Sequence, residues 1–246
     1  MDRRLVLVHL YPDLLNLYGD RGNVLALSRR ASWAGWTLEV REVGMGEAAD
    51  LAEADMLFVG GGQDREQKTL AQDLLRRRDA ILRSVDRGLV VLAVCGGYQL
   101  MGRRYVTPEG EEVPGIGLMD LETLPGPGRL VGNVVVAAGW LEEPLVGFEN
   151  HGGRTFLGPS AQALGQVVRG HGNNGRDGTE GAWAGKVYGT YLHGALLPKN
   201  PAFADHLLRQ AAARRRGEVP WPKLDDLEEH AARAVLMERM GLRGQR

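Results

Sequence analysis

The chain has 246 residues, with 30 basic and 31 acidic side chains for a formal net charge of -1, and 43% of it is hydrophobic and 25% charged. That composition belongs to a globular protein with a sizeable core, and it excludes an overall field that would draw the chain to nucleic acid or an anionic membrane, so any partner has to be recognised locally. The apolar run after MDRR is about six residues with no small-residue cleavage site, no stretch approaches the roughly 20 residues of a membrane span, and a single cysteine permits no internal disulfide; a reducing cytoplasm without membrane insertion is the expected setting.

In chain order, LVLVHL (5–10), MLFVG (56–60) and LVVLAV (89–94) are continuous apolar, β-branched-rich runs of the kind that form parallel strands covered on both faces. Between them, VLALSRRASWAG places Val24, Leu27, Ala31 and Ala34 on one helical face and stops at Gly35, and LLRRRDAILRSVDRG carries Leu74, Leu75, Ile81, Leu82 and Val85 before Gly88. LYGDRGN (17–23) opens the first of these helices, with Asn23 as the expected cap. Strand, helix, strand, helix, strand predicts an α/β fold with a doubly wound, mostly parallel sheet flanked by helices. From about 105 to 192 the texture turns to Gly- and Pro-rich turns between short strand candidates, RLVGNVVVAA, ALGQVVRG and KVYGTYLH, taken as the rest of the same domain. AFADHLLRQAAARRRG and, beyond the PWP break at 220–222, LDDLEEHAARAVLMERMG predict two final helices, with the arginines at 214–216 read as a solvated helix end.

In an open α/β sheet the residues just past the carboxyl ends of the strands converge, here YPD, GGQD, CGG and HG. Cys95 stands at a strand-to-helix turn, where a thiol projects into the cleft and the helix N-terminus favours the thiolate; the bland alternative is a small hydrophobe ending a buried strand. A nucleophilic cysteine needs a base, and of six histidines His193, at the end of KVYGTYL, is placed best, whereas His151 in GFENHGGRT falls in a turn and reads as structural. Acyl transfer also needs backbone N–H donors, which Gly61 and Gly62 of VGGGQD and Gly96 after the cysteine offer. GGGQDREQ has neither the third glycine of GxGxxG nor a GK[ST], so no ATP site is expected, and the histidines and the cysteine lack metal-ligand spacing.

Gly-rich strand end, cysteine elbow and strand-terminal histidine, in that order, resemble the class I glutamine amidotransferases. The family's usual glutamate two residues after the histidine is replaced by Ala195, and YLHG is similar to the cobyric acid synthase-like branch. LLNLYGDRGNVLAL, GGGQDREQ, CGGYQLMG, GFENHGGRT, GNNGRDGTEGA and GTYLHGALLPKNP together resemble the GatD family, the glutamine amidotransferase subunits of lipid II isoglutaminyl synthase. The resemblance implies Cys95 as nucleophile, His193 as base and Arg129 of GPGRLVGN as the residue holding glutamine by its α-carboxylate. It also implies an amidotransferase domain over 1–216, with 217–246 as a helical extension packed on it, and a heterodimer with a MurT-like, Mur-ligase-family synthetase subunit that carries ATP and Mg, leaving this chain without a cofactor. For the missing acid it implies an aspartate of that partner, with Glu149 and Asp20 the rivals within this chain. Corrinoid-type amidation and a catalytically silent amidotransferase-like binding module are the alternative functions. Asn173, Asn174 and Trp183 read as turn chemistry, or as contacts to the synthetase.

Overall fold

The structure is a computed structural model that describes residues 3–16, 19–62 and 64–242. Leu17, Tyr18 and Gln63 of the motifs above, and residues 243–246 of the expected C-terminal extension, lie outside them. The chain begins β1 (Arg4–Leu10), α1 (Arg21–Trp33), β2 (Thr37–Val43), β3 (Met56–Val59), α2 (Asp64–Asp86), β4 (Val90–Val94) and α3 (Gly96–Met101). It continues through β5 (Arg104–Val106), β6 (Glu112–Pro114), β7 (Leu121–Ala137), β8 (Leu145–Leu157), β9 (Gly165–Arg169) and β10 (Thr179–Glu180). It ends with β11 (Ala182–Ala184), β12 (Val187–Thr190), α4 (Leu196–Lys199), α5 (Pro201–Arg216) and α6 (Leu227–Arg239).

Among the described residues the strands form two sheets of six. The first runs β11-β12-β4-β3-β1-β2 and is parallel throughout except for the edge strand β11. Its central strands β1, β3 and β4 are buried almost without interruption, which is why their sequences show apolar runs rather than alternation. The second sheet runs β10-β9-β7-β5-β6 with β8 also paired to β7, and it is antiparallel apart from the β5–β7 pair. The doubly wound parallel sheet was expected; this second sheet was not. Its two long strands pass through PGPGR and GFENHGGRT, so His151 lies in β8 and not in a turn, paired with Leu130 of β7.

Two other local expectations are corrected. The cap of α1 is Asp20, and Asn23 lies inside the first turn, its side-chain oxygen accepting the Leu197 amide at the start of α4. The arginines ending α5 are not simply solvated: Arg214 and Arg215 bond the fully buried carboxylate of Asp55, at 3.0 and 2.7 Å, and that carboxylate also accepts the Val6 amide at 2.8 Å. A buried charge stays ionised only when paired, and here the pairs fasten α5 to the start of β3. Arg30 does the same for the C-terminal segment, bonding Asp205 of α5 and Asp226, the cap of α6. Farther along, Met240 packs with Val135 of β7 and Val146 of β8.

Candidate active site

Cys95 caps the short helix α3 and has φ 50° and ψ -106°, a conformation that a residue with a Cβ adopts only when its surroundings impose it. The surroundings are tight. Its amide donates to Thr190 of β12, the Gly97 amide donates to the Gly60 carbonyl at the end of β3, and a Cβ on Gly97 would stand 2.6 Å from the Val59 oxygen. Glycine is therefore required at 97, because the first turn of α3 is pressed against the end of β3. Behind it, the Tyr98 ring lies over Gly189 of β12 and its hydroxyl donates to Asn173. The elbow expected from CGG is thus fixed by β3, β4 and β12, and the thiol is buried but for 7% of the residue's surface.

His193 lies three residues past β12, fully buried, in an antiparallel bridge with Phe148 of β8: its amide donates to the Phe148 oxygen at 2.7 Å and its carbonyl accepts the Phe148 amide. Gly61 shows how the parts converge. A Cβ there would stand 2.9 Å from Cε1 of His193, 3.2 Å from the Cβ of Cys95 and 3.2 Å from Oδ2 of Asp20. Burial first, then the positive fields of His151, Arg129 and Lys199, push the His193 pKa down to about 3. The imidazole is consequently neutral at physiological pH, the form that can accept a thiol proton.

The glycine donors are not equivalent. The Gly61 amide already donates to Oδ2 of Asp20 at 2.6 Å, whereas the Gly62 nitrogen lies 3.0 Å from where a Cβ on Gly96 would sit, beside the elbow. Arg129, in β7, is exposed, with Nε donating to Oδ1 of Asn150 and Nη2 to the Asn150 carbonyl, and it is close enough to act on the His193 pKa. Both acids weighed for the histidine have other work: Glu149 accepts the amides of His171 and Gly172 at 2.7 and 2.8 Å, and Asp20 accepts Gly61. Ala195, in the family's glutamate position, has φ 49° and its methyl faces Gly22 of α1.

His151 is buried, stacked face to face on Tyr191 at 3.6 Å, with Nδ1 bonded to the Gly153 carbonyl. Asn174 organises its turn by accepting the amides of Arg176 and Asp177, and Trp183 stacks on Trp140 and Tyr188, so turn chemistry and packing account for both. Among the described residues no group of three or more His, Cys, Asp or Glu side chains could hold a metal ion, and no helix is long and apolar enough to cross a membrane.

Residues 6–201 match the model of the CobB/CobQ-like glutamine amidotransferase domain, and the chain belongs to that glutamine amidotransferase family. It is 38% identical over 235 residues, 96% of each chain, to subunit GatD of lipid II isoglutaminyl synthase (glutamine-hydrolyzing) from Staphylococcus aureus strain N315. It is also 38% identical to the subunit of the same name from Streptococcus pneumoniae R6, over 91% of this chain and 87% of that one. The fold is similar to that of PurLQS from Thermotoga maritima, with a TM-score of 0.59 at 17% identity over 86% of this chain and 96% of that chain.

Proposed function

We propose that this chain is the glutaminase subunit of a lipid II isoglutaminyl synthase, with Cys95 as nucleophile and His193 as its base. The observation that carries this reading is the convergence of Cys95, His193 and the glycine loop about Gly61 in a member of the amidotransferase family. His193 takes the thiol proton and Sγ attacks the side-chain carboxamide carbon of L-glutamine. The oxyanion is met by amides of the Gly61, Gly62 and Gly96 set, His193 returns the proton to the departing nitrogen, and ammonia leaves a glutamyl thioester. Water, deprotonated by the same imidazole, then releases glutamate and restores the thiol. Arg129 presents the planar fork suited to the α-carboxylate of glutamine.

The ammonia passes to a MurT-like synthetase subunit in a cytoplasmic heterodimer, which uses ATP and Mg to activate the α-carboxyl of D-glutamate in the lipid II stem peptide. An aspartate of that subunit completes the triad, in keeping with the engagement of Glu149 and Asp20 elsewhere. With Cys95→Ala, the assembled complex is expected to lose glutamine-dependent amidation and to keep amidation from ammonium chloride. Retained use of glutamine refutes the reading, as do equal glutaminase rates with and without the partner. The second reading, corrinoid-type amidation, is favoured by the CobB/CobQ-like character of the matched domain, and the same complex offered a corrinoid carboxylate in place of lipid II decides between them.

A further inference from the structure

We propose that Asp20 gates the oxyanion site: its carboxylate holds the Gly61 amide at rest, and glutamine is turned over efficiently only when that bond is released. The proposal rests on the glutaminase reading above and adds to it a control point within this chain. Asp20 is fully buried and its Oδ2 accepts the Gly61 N–H at 2.6 Å, at the end of β3 where Cys95 and His193 also meet. A backbone N–H already committed to a carboxylate is withdrawn from a developing oxyanion, and a second negative charge beside that oxyanion opposes its formation in a water-poor site.

Asp20 stands at the cap position of α1 but makes no side-chain capping bond, and among the described residues its other oxygen has one long contact, 3.4 Å, from Nδ2 of Asn23. Burial outweighs the Gly61 amide bond and pushes the Asp20 pKa up to about 7, so the ionised form is poorly compensated where it sits. The route by which release is coupled to the site is short. Asn23, three residues on, receives the Leu197 amide of α4, and α4 follows directly from His193 through Gly194 and Ala195. A movement of the segment after the histidine therefore reaches the start of α1.

The test uses the full chain as wild type, Asp20→Ala and Asp20→Asn, with Cys95→Ala as the blank. Two rates are compared at Cys95: alkylation by the chloroketone analogue of glutamine, and modification by methyl methanethiosulfonate. In the first, the S–C bond forms as chloride leaves while the carbonyl oxygen gathers charge; the second involves no carbonyl. Their ratio reports the oxyanion donor free of changes in the thiol itself. Loss of one oxyanion donor costs about 10² to 10³ in kcat, so Asp20→Ala is expected to raise both the ratio and the basal glutaminase kcat by about tenfold or more. Asp20→Asn, whose neutral oxygen holds Gly61 more weakly, is expected to rise severalfold and keeps the test alive should the alanine variant unfold. An unchanged ratio overturns the proposal. So does a fall in kcat, which would make Asp20 an acid serving His193. Glutamine hydrolysis surviving in Cys95→Ala would instead sink the glutaminase reading itself.

Discussion

Replacing Gly61 by alanine tests the convergence on which the site rests. The added methyl would stand 2.9 Å from Cε1 of His193, whereas carbon atoms in contact settle at about 3.5 to 4.0 Å. The imidazole must therefore retreat by roughly 0.6 to 1 Å, because the methyl's other near neighbours, the Cβ of Cys95 and Oδ2 of Asp20, block retreat elsewhere at 3.2 Å. A base displaced by about 1 Å costs on the order of 10²-fold in rate, so kcat for glutamine hydrolysis is expected to fall about a hundredfold, with KM much less affected. The assay is steady-state release of ammonia and glutamate by the assembled complex, with melting temperature measured alongside. Gly97→Ala is the contrasting control: its methyl would meet the Val59 and Gly60 carbonyl oxygens at 2.6 and 2.8 Å, backbone that cannot step aside, so this variant is expected to lose stability as well as activity. If Gly61→Ala keeps kcat within about twofold of wild type at an unchanged melting temperature, the imidazole is not where the chemistry occurs and the argument fails.

Arg129→Ala is expected to raise KM for glutamine about ten- to a hundredfold with a smaller effect on kcat, the worth of charge-assisted bonds to a carboxylate, and Arg129→Lys is expected to recover little because a point charge does not replace the fork; an unchanged KM in the same assay removes Arg129 from the binding site. Glu180 is fully buried, accepting the Tyr191 amide at 2.7 Å, and burial pushes its pKa up to about 8 from the ordinary 4.5. The native state therefore holds a proton that the unfolded state has lost, so this group's contribution is fully present below about pH 4.5, declines as pH rises towards about 8, and levels off above. Thermal melts across that window are expected to show a shallower alkaline decline for Glu180→Gln than for wild type, and parallel curves would refute the assignment.

The parts of the fold legible in the sequence are those whose side chains meet only apolar neighbours. β1, β3 and β4 are buried on both faces and read directly as apolar runs, and the cysteine elbow followed from CGG at the end of one of them. β8 was hidden because, past Val146, its buried positions include Glu149, His151, Arg154 and Thr155, polar groups bonded by amides, carbonyls and a hydroxyl that the sequence does not place beside them, so the middle of the strand carries little hydrophobic signal. Arg214 and Arg215 misled for a related reason: their partner Asp55 is about 160 residues away along the chain, and a basic helix end looks alike whether it faces water or a buried carboxylate. Cys95, His193 and Gly61 lie beside one another at strand ends, but the attachment of Asp20 to Gly61 was invisible. The sequence offered Asp20 only as a rival acid for His193, and nothing in LYGDRGN points to an amide 41 residues later as its partner.

The bridge between His193 and Phe148 gives the two halves of the reaction different mechanical anchors. Cys95 is tethered within the parallel sheet, through β4 and the Thr190 carbonyl, whereas His193 takes its main-chain bonds from β8 of the antiparallel sheet. The sheet whose strand β8 bonds the main chain of His193, the proposed base, also carries Arg129, the proposed anchor of glutamine, whereas Cys95, the proposed nucleophile, is held by the other sheet, so the groups proposed to bind and deprotonate are set by one layer of the fold and the group proposed to attack by the other.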